Sequence, residues 1–456
     1  MSETSTQPSL WPLRRELFAQ TWPMAIGVLS LLGFQLVDAA FVARLGTTPL
    51  AAQSFTFPIT FLSIGIQVGL GIAIAALISR AIGAGEPDRA RRLGSLVVFG
   101  GSAALGVLSI ILWFSHDFIF TKLGANPGTR ELISPYWAIQ LATNWLGALL
   151  YFGYTLFRAH NNTRVPGLLM VLTSLLNLVL DPLFIFGVGP FAGYGLPGAA
   201  VATFLAFLIG LGLLLWQLTG RNWLASSGLV AEARRSTGPF AVIAGPAMLS
   251  QLMPPLAAIA ATRLIASLGD QAVAAWGLQS RLETMSLMIV LGLTMSLPPW
   301  LGHCYGAGNW RRVRALMYIA IQAVIVWQLT FGIAMAVCAP WVASGLSGNP
   351  TVQASLTDLI RYMLPSYAML GICMLVVSAS NALGWPVRAM LISFARLFVC
   401  YLPCVATGVW FGSMTSIALG ALAGNILAGL MAWVVFRRSL AQMPDSSATD
   451  TQRQPG

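Results

Sequence analysis

Asp38 and Asp181 are carboxylates inside long apolar runs, and Asn177 precedes Asp181 by one helical turn, so amide and acid share a face. Gln35, three residues before Asp38, lies on the face of that acid. Ionisable side chains are costly in lipid and mark ion pathways, proton relays or ligand sites where they persist. Two acids converging on one small cavity favour a proton or a cation between them, because neither holds its charge easily beside the other away from water. No arginine stands mid-run in the first half to pair with them. The expected occupant of Asp38, Asn177 and Asp181 is therefore a proton or a small cation. No other metal and no organic cofactor is expected.

Four more ionisable groups sit within apolar runs: Arg263, Arg281, Glu283 and Arg396. Arg281 is two residues from Glu283, and a structural ion pair there is as good a reading as a coupling role. Candidates for a cavity wall are Phe34, Gln35, Thr203, Gln251 and Glu283. Enzymatic chemistry has no support. The single lysine, Lys122, follows no glycine-rich loop, so there is no phosphate-binding P-loop. His116, His160 and His303 are scattered without a second ligand at helical spacing, and no Ser–His–Asp set can be assembled. Cys304, Cys338, Cys373, Cys400 and Cys404 have neither metal-ligand nor redox spacing and read as buried small residues.

These groups must be held by elements suited to lipid. Charged residues are 9% of the chain and hydrophobic residues 57%, with a mean hydropathy of +0.77. Soluble domains carry roughly 25% charged residues. The chain reads as an all-α polytopic membrane protein, with runs long enough to cross a bilayer and none of the dyad alternation of a barrel. The net charge of +11 does not point to nucleic acid, because the arginines alternate between loops. Arg14, Arg80, Arg91, Arg158, Arg234, Arg312, Arg388 and Arg437 lie in one set of loops, and the loops between them are nearly neutral. Both termini are expected in the cytoplasm of a bacterium, the protein in its inner membrane. The first ten residues show no signal-peptide pattern, so the first span is expected to be retained.

About twelve spans are expected, near 16–44, 50–80, 94–115, 131–157, 166–188, 197–219, 239–268, 272–302, 313–337, 354–382, 387–410 and 414–436. They divide the chain into a cytoplasmic segment 1–15, a six-helix lobe 16–219, a cytoplasmic linker 220–238, a second six-helix lobe 239–437 and a disordered tail 438–456. The lobes are copies. Pro23, Gly46, Ala51, Ala52, Gly69 and Gly83-Ala84-Gly85 recur as Pro246, Gly269, Ala274, Ala275, Gly292 and Gly306-Ala307-Gly308, at a constant offset of 223 residues. The copy of Asp38 is Ala261, so the acid belongs to one lobe only. A parallel repeat of this kind tends to hold substrate between or within its bundles. Pro23, Pro182 and Pro246 are candidate hinges, since a proline inside a helix removes a backbone bond.

In this order, and duplicated, the motifs resemble the multidrug and toxic compound extrusion family. They are Pro23, the Val37-Asp38 run ending in Leu45-Gly46, Leu50-Ala51-Ala52, Gly83-Ala84-Gly85 followed by arginines, and in the second half Leu268-Gly269, Ala274-Ala275 and Gly306-Ala307-Gly308-Asn309. The resemblance covers roughly 15 to 437. It implies twelve helices in two pseudo-symmetric six-helix bundles that exchange drug outward for protons or sodium ions inward. It also implies that Asp38, Asn177 and Asp181 are the acid cluster of the branch similar to the DNA-damage-inducible exporters. Relatives often carry tyrosine one turn before the first aspartate. Here the residue is Phe34, so the cluster is expected to lack that hydroxyl. The implied partners are small amphipathic, often cationic, drugs or toxic metabolites and the lipid bilayer, with no nucleic acid and a monomeric state. The alternative is a lipid-linked glycan flippase of related fold, which would need arginines such as Arg263, Arg281 and Arg396 around one central cavity.

Overall fold

The computed structural model describes residues 11–122, 124, 127–188 and 191–441. Residues 1–10 of the expected N-terminal segment and 442–456 of the expected tail lie outside the described residues. In lipid every backbone N–H and C=O must be satisfied internally, and the apolar runs accordingly form long helices. The first lobe comprises α1 (Trp11–Ala43), α2 (Thr47–Gly83), α3 (Pro87–Ser95) continued through a π-helical segment into α4 (Ser102–Phe114), a short α5 (His116–Lys122), α6 (Pro127–Ala159), α7 (Arg164–Phe186) and α8 (Leu196–Leu218). A two-residue-per-strand hairpin (Gly187–Val188, Phe191–Ala192) joins the last two. The second lobe comprises α9 (Leu229–Ile265), α10 (Asp270–Ser286), α11 (Met288–Gly306), α12 (Trp310–Val337), a short α13 (Ala339–Leu346), α14 (Pro350–Ala382), α15 (Pro386–Phe394) continued through a π-helical segment into α16 (Leu402–Trp410), and α17 (Met414–Ala441).

Among the described residues, ten helices are long and apolar enough to cross a membrane, and α10 with α11 makes an eleventh across a 44° bend. The twelfth is α6, equal in length to α1 and α14 at 33 residues but diluted by Arg130, Glu131, Gln140 and Asn144.

Most span limits fall within a few residues of expectation; α1 begins at Trp11, and α17 continues to Ala441, so residues 438–441 of the expected disordered tail are helical. Two further exceptions have a common cause. The expected linker 220–238 is helical from Leu229 onward, and the third span starts at Pro87 rather than 94. These polar segments pack against each other. Glu232, 4% exposed, sits between Arg89 at 3.2 Å and Arg92 at 3.5 Å and accepts a 2.7 Å bond from Ser236. Polarity here reflects a buried ion cluster rather than a solvated connector.

The lobes meet through α1 and α2 on one side and α9 and α11 on the other. The sequence repeat reappears as geometry. Gly46 and its copy Gly269 precede α2 and α10 with φ of 112° and 102°, a region that favours glycine. At the arginine-rich end α2 and α11 cross so closely that a Cβ on Gly83 would collide with the His303 carbonyl, and one on Gly306 with the Arg80 carbonyl. His303 is the copy of Arg80, and the two make reciprocal contacts. Arg80 donates to the carbonyls of Ala382 (2.9 Å) and Asn381 (3.0 Å) at the end of α14. His303 Nε2 donates to the carbonyl of Ala159 (2.7 Å) at the end of α6. Ala382 is the copy of Ala159. Each lobe thus clasps the last turn of the same helix in the other.

Candidate functional site

The first-lobe acids come together. Asp38 on α1 is half-buried, Asp181 on α7 is fully buried, and each lies within reach of the other's charge. The helices are adjacent because α1 and α7 pack along their length. Asn177, 1% exposed, stands one turn before Asp181 and spends its amide on the Thr173 carbonyl at 3.0 Å, which leaves its oxygen facing the cluster side of the helix without a donor. Pro182 lacks an N–H, so the carbonyl of Leu178 also has no helical donor.

The cluster is rich in acceptors and short of donors. Both oxygens of Asp181, Oδ1 of Asp38, Oδ1 of Asn177 and Oε1 of Gln53 are buried without a hydrogen-bond partner. Buried polar atoms are nearly always satisfied, so five oxygens without a protein partner in one region mark a place suited to hold a proton, a cation or water. The donors are oxygens alone, which suits H+ or Na+. Among the described residues, no group of three or more His, Cys, Asp or Glu side chains is arranged to hold a metal ion.

Three residues of this cluster escaped the sequence reading. Gln53 on α2 hydrogen-bonds Asp38. The Tyr136 hydroxyl on α6, 5% exposed, lies against the side chains of Gln53 and Thr56 and within reach of the Asp38 charge. Phe34 brings no hydroxyl to the cluster, as expected from its side chain, but Tyr136 on α6 brings one beside Gln53 and Thr56. A polar residue one span away, on a helix whose neighbours are unknown from sequence, carried no signal beyond its own oddity.

The lobes enclose a second feature, a cavity of about 520 Å³ between them. Of the cavity candidates, Gln251 and Glu283 line it, while Phe34, Gln35 and Thr203 do not. Thr203 instead back-bonds to the Ala199 carbonyl at 3.1 Å. Glu283 accepts from the Tyr367 hydroxyl at 2.9 Å, and Gln279 donates to the same hydroxyl at 3.2 Å. Its partner is thus a tyrosine from α14, in place of the Arg281 pair weighed from sequence; Arg281 and Arg263 are exposed. Arg396 lines the cavity, and so does Arg158, which the sequence reading counted with the loop arginines but which is only 6% exposed. The three hinge prolines lie inside unbroken helices, and the 44° bend falls at Leu287, which carries no proline.

Comparison with known proteins agrees with the duplicated architecture. The MatE family model matches twice, over residues 23–183 and 246–407. The chain is 32% identical over 435 residues to a protein named FAD transporter from Shewanella oneidensis, covering 94% of this chain and 95% of that one. It is 23% identical over 441 residues to the probable multidrug resistance protein YoeA of Bacillus subtilis, covering 92% and 94%. The crystal structure of a variant of the Vibrio cholerae MATE transporter VcmN superposes with a TM-score of 0.92 at 44% identity, covering 95% of this chain and 98% of that one.

Proposed function

Because this chain belongs to the MatE family of membrane transporters, which are not enzymes, we propose that it is a secondary active exporter of amphipathic organic compounds, cations among them, driven by exchange for protons or sodium ions at Asp38, Asn177 and Asp181. The observation that carries this reading is the set of unpaired oxygens around Asp181. Neutralising them stabilises one arrangement of α1, α2, α6 and α7, and a ligand shifts a conformational equilibrium by its difference in affinity for the two states. The consequence reaches the lobe contact because α1 carries both ends of the coupling. Asp38 lies on it, and near its arginine-rich end Thr21 bonds Ser296 of α11 at 3.1 Å. The arginine-rich end is read as cytoplasmic by the positive-inside rule, which sets both termini in the cytoplasm of a bacterial inner membrane.

The relatives named for multidrug resistance support export of mixed organic compounds. Of the three arginines weighed for the flippase alternative, Arg263 and Arg281 are exposed and Arg396 lines the central cavity, joined there by Arg158, so that reading keeps less support than export. Drug-induced proton or sodium flux in proteoliposomes tests the proposal. Asp38→Asn and Asp181→Asn are expected to abolish flux while leaving the protein inserted and monodisperse. Exchange at the wild-type rate in either variant would overturn it.

A further inference from the structure

The central cavity holds more positive than negative charge. Arg158 enters from α6 of the first lobe and Arg396 from the segment between α15 and α16 of the second. Glu283 is the one acid on the same wall; its Oε2 accepts from Tyr367, and the Arg396 charge lies within its reach. Among the described residues, neither guanidinium reaches a carboxylate within ion-pair distance. The Nε of each is buried without a hydrogen-bond partner. Arg158 spends one nitrogen on Thr155 Oγ1 at 2.7 Å and lies over the Tyr151 ring at 5.3 Å, contacts that fix the guanidinium and leave its remaining donors free.

One buried and one partly buried guanidinium, both with spare donors, face this cavity against a single carboxylate, and a bound anion offsets the cost of holding them there. The guanidinium fork matches phosphate and carboxylate oxygens, and two forks, one from each lobe, match a group with several oxygens. The rest of the wall, including Leu287, Leu291, Met295, Leu370 and Met374, is apolar and adaptable. Its volume lies within the range of small-molecule sites.

We infer that this cavity binds an amphipathic organic anion through a phosphate-type group held between Arg158 and Arg396, its apolar part packed against the leucine and methionine wall. The inference rests on the transporter reading and names one of its substrate classes. It also has a mechanical corollary. Arg158 precedes Ala159, and Asn381 and Ala382 share the cavity wall, so the bound anion sits on the two helix ends that His303 and Arg80 clasp.

The test is equilibrium binding to the purified full-length protein in a neutral detergent, without any ion gradient. 1-Naphthyl phosphate is compared with 1-naphthol, which shares its ring and lacks the charge. The wild type is expected to prefer the phosphate by about tenfold or more, and Arg158→Gln and Arg396→Gln each to erase most of that preference. Arg263→Gln, an exposed arginine outside the cavity, is expected to retain it. Arg158→Lys and Arg396→Lys keep the charge but lose the fork, and are expected to fall between. Displacement of the probe by phosphatidic acid in the micelles would assign the anion to a lipid headgroup, and lack of displacement to a soluble compound; both keep the site. Equal affinity for phosphate and alcohol, or a preference that survives in a monodisperse Arg158→Gln/Arg396→Gln double variant, would overturn the inference. Since no ion exchange enters this measurement, its failure is distinguishable from failure of the coupling reading, which the Asp38→Asn flux assay reports.

Discussion

Replacing Arg80 by glutamine should loosen the arginine-rich end of the lobe contact. The Arg80 guanidinium makes two bonds to the last carbonyls of α14, at 2.9 and 3.0 Å, and rests over the Tyr305 ring at 5.0 Å. Hydrogen bonds from a charged donor contribute ~1.5–3 kcal/mol each, and a glutamine amide retains one neutral bond of ~1 kcal/mol. The net loss is ~2–5 kcal/mol, and the lower figure alone raises the open fraction by about 30-fold. Cys304 reports this opening, because it follows His303 on α11 and is 8% exposed. In a chain whose Cys338, Cys373, Cys400 and Cys404 are alanine, maleimide should label Cys304 faster in Arg80→Gln by about that factor when labelling proceeds through the open state. Arg80→Lys keeps the charge but not the fork and should fall between. An unchanged labelling rate in monodisperse Arg80→Gln protein would refute the idea that these two bonds hold the end closed.

Tyr136→Phe removes only a hydroxyl and should leave folding intact while weakening the coupling ion by about fivefold, roughly one hydrogen bond, as read by ion-dependent flux. Glu232→Gln leaves the partly exposed Arg89 and Arg92 without their buried partner, and thermal unfolding in detergent should show a loss of about 1–3 kcal/mol; an unshifted melting temperature would mean that Glu86 suffices for Arg89. Gly306→Ala places a methyl against the Arg80 carbonyl and should open the same end as Arg80→Gln, at a cost of about 1–3 kcal/mol, again read by Cys304 labelling.

Much of the architecture was legible because lipid leaves a chain few options. Apolar run length marked the spans, and the 223-residue offset marked the two lobes. Asp38, Asn177 and Asp181 were legible for the same reason: unpaired polar groups stand out against an apolar background. What stayed hidden depends on which helices are neighbours. Tyr136 and Gln53 complete the cluster from α6 and α2, and no spacing within one helix announces that. Arg158 looked like a loop arginine because it lies one residue from the end of its helix, yet that end turns into the central cavity. Glu232 looked like linker polarity because its arginine partners lie more than a hundred residues earlier.

The reciprocal clasp has a consequence for how the two halves can diverge. Its acceptors are backbone carbonyls of Ala159 and Ala382, present whatever side chain occupies those positions. Substitution cannot delete them, so heritable change at this joint falls on the donors. There the copies differ, arginine at 80 and histidine at 303. A duplicated joint of this design keeps its geometry by default while each donor is free to change, and one gene can carry two grips of unequal strength on a single symmetric frame.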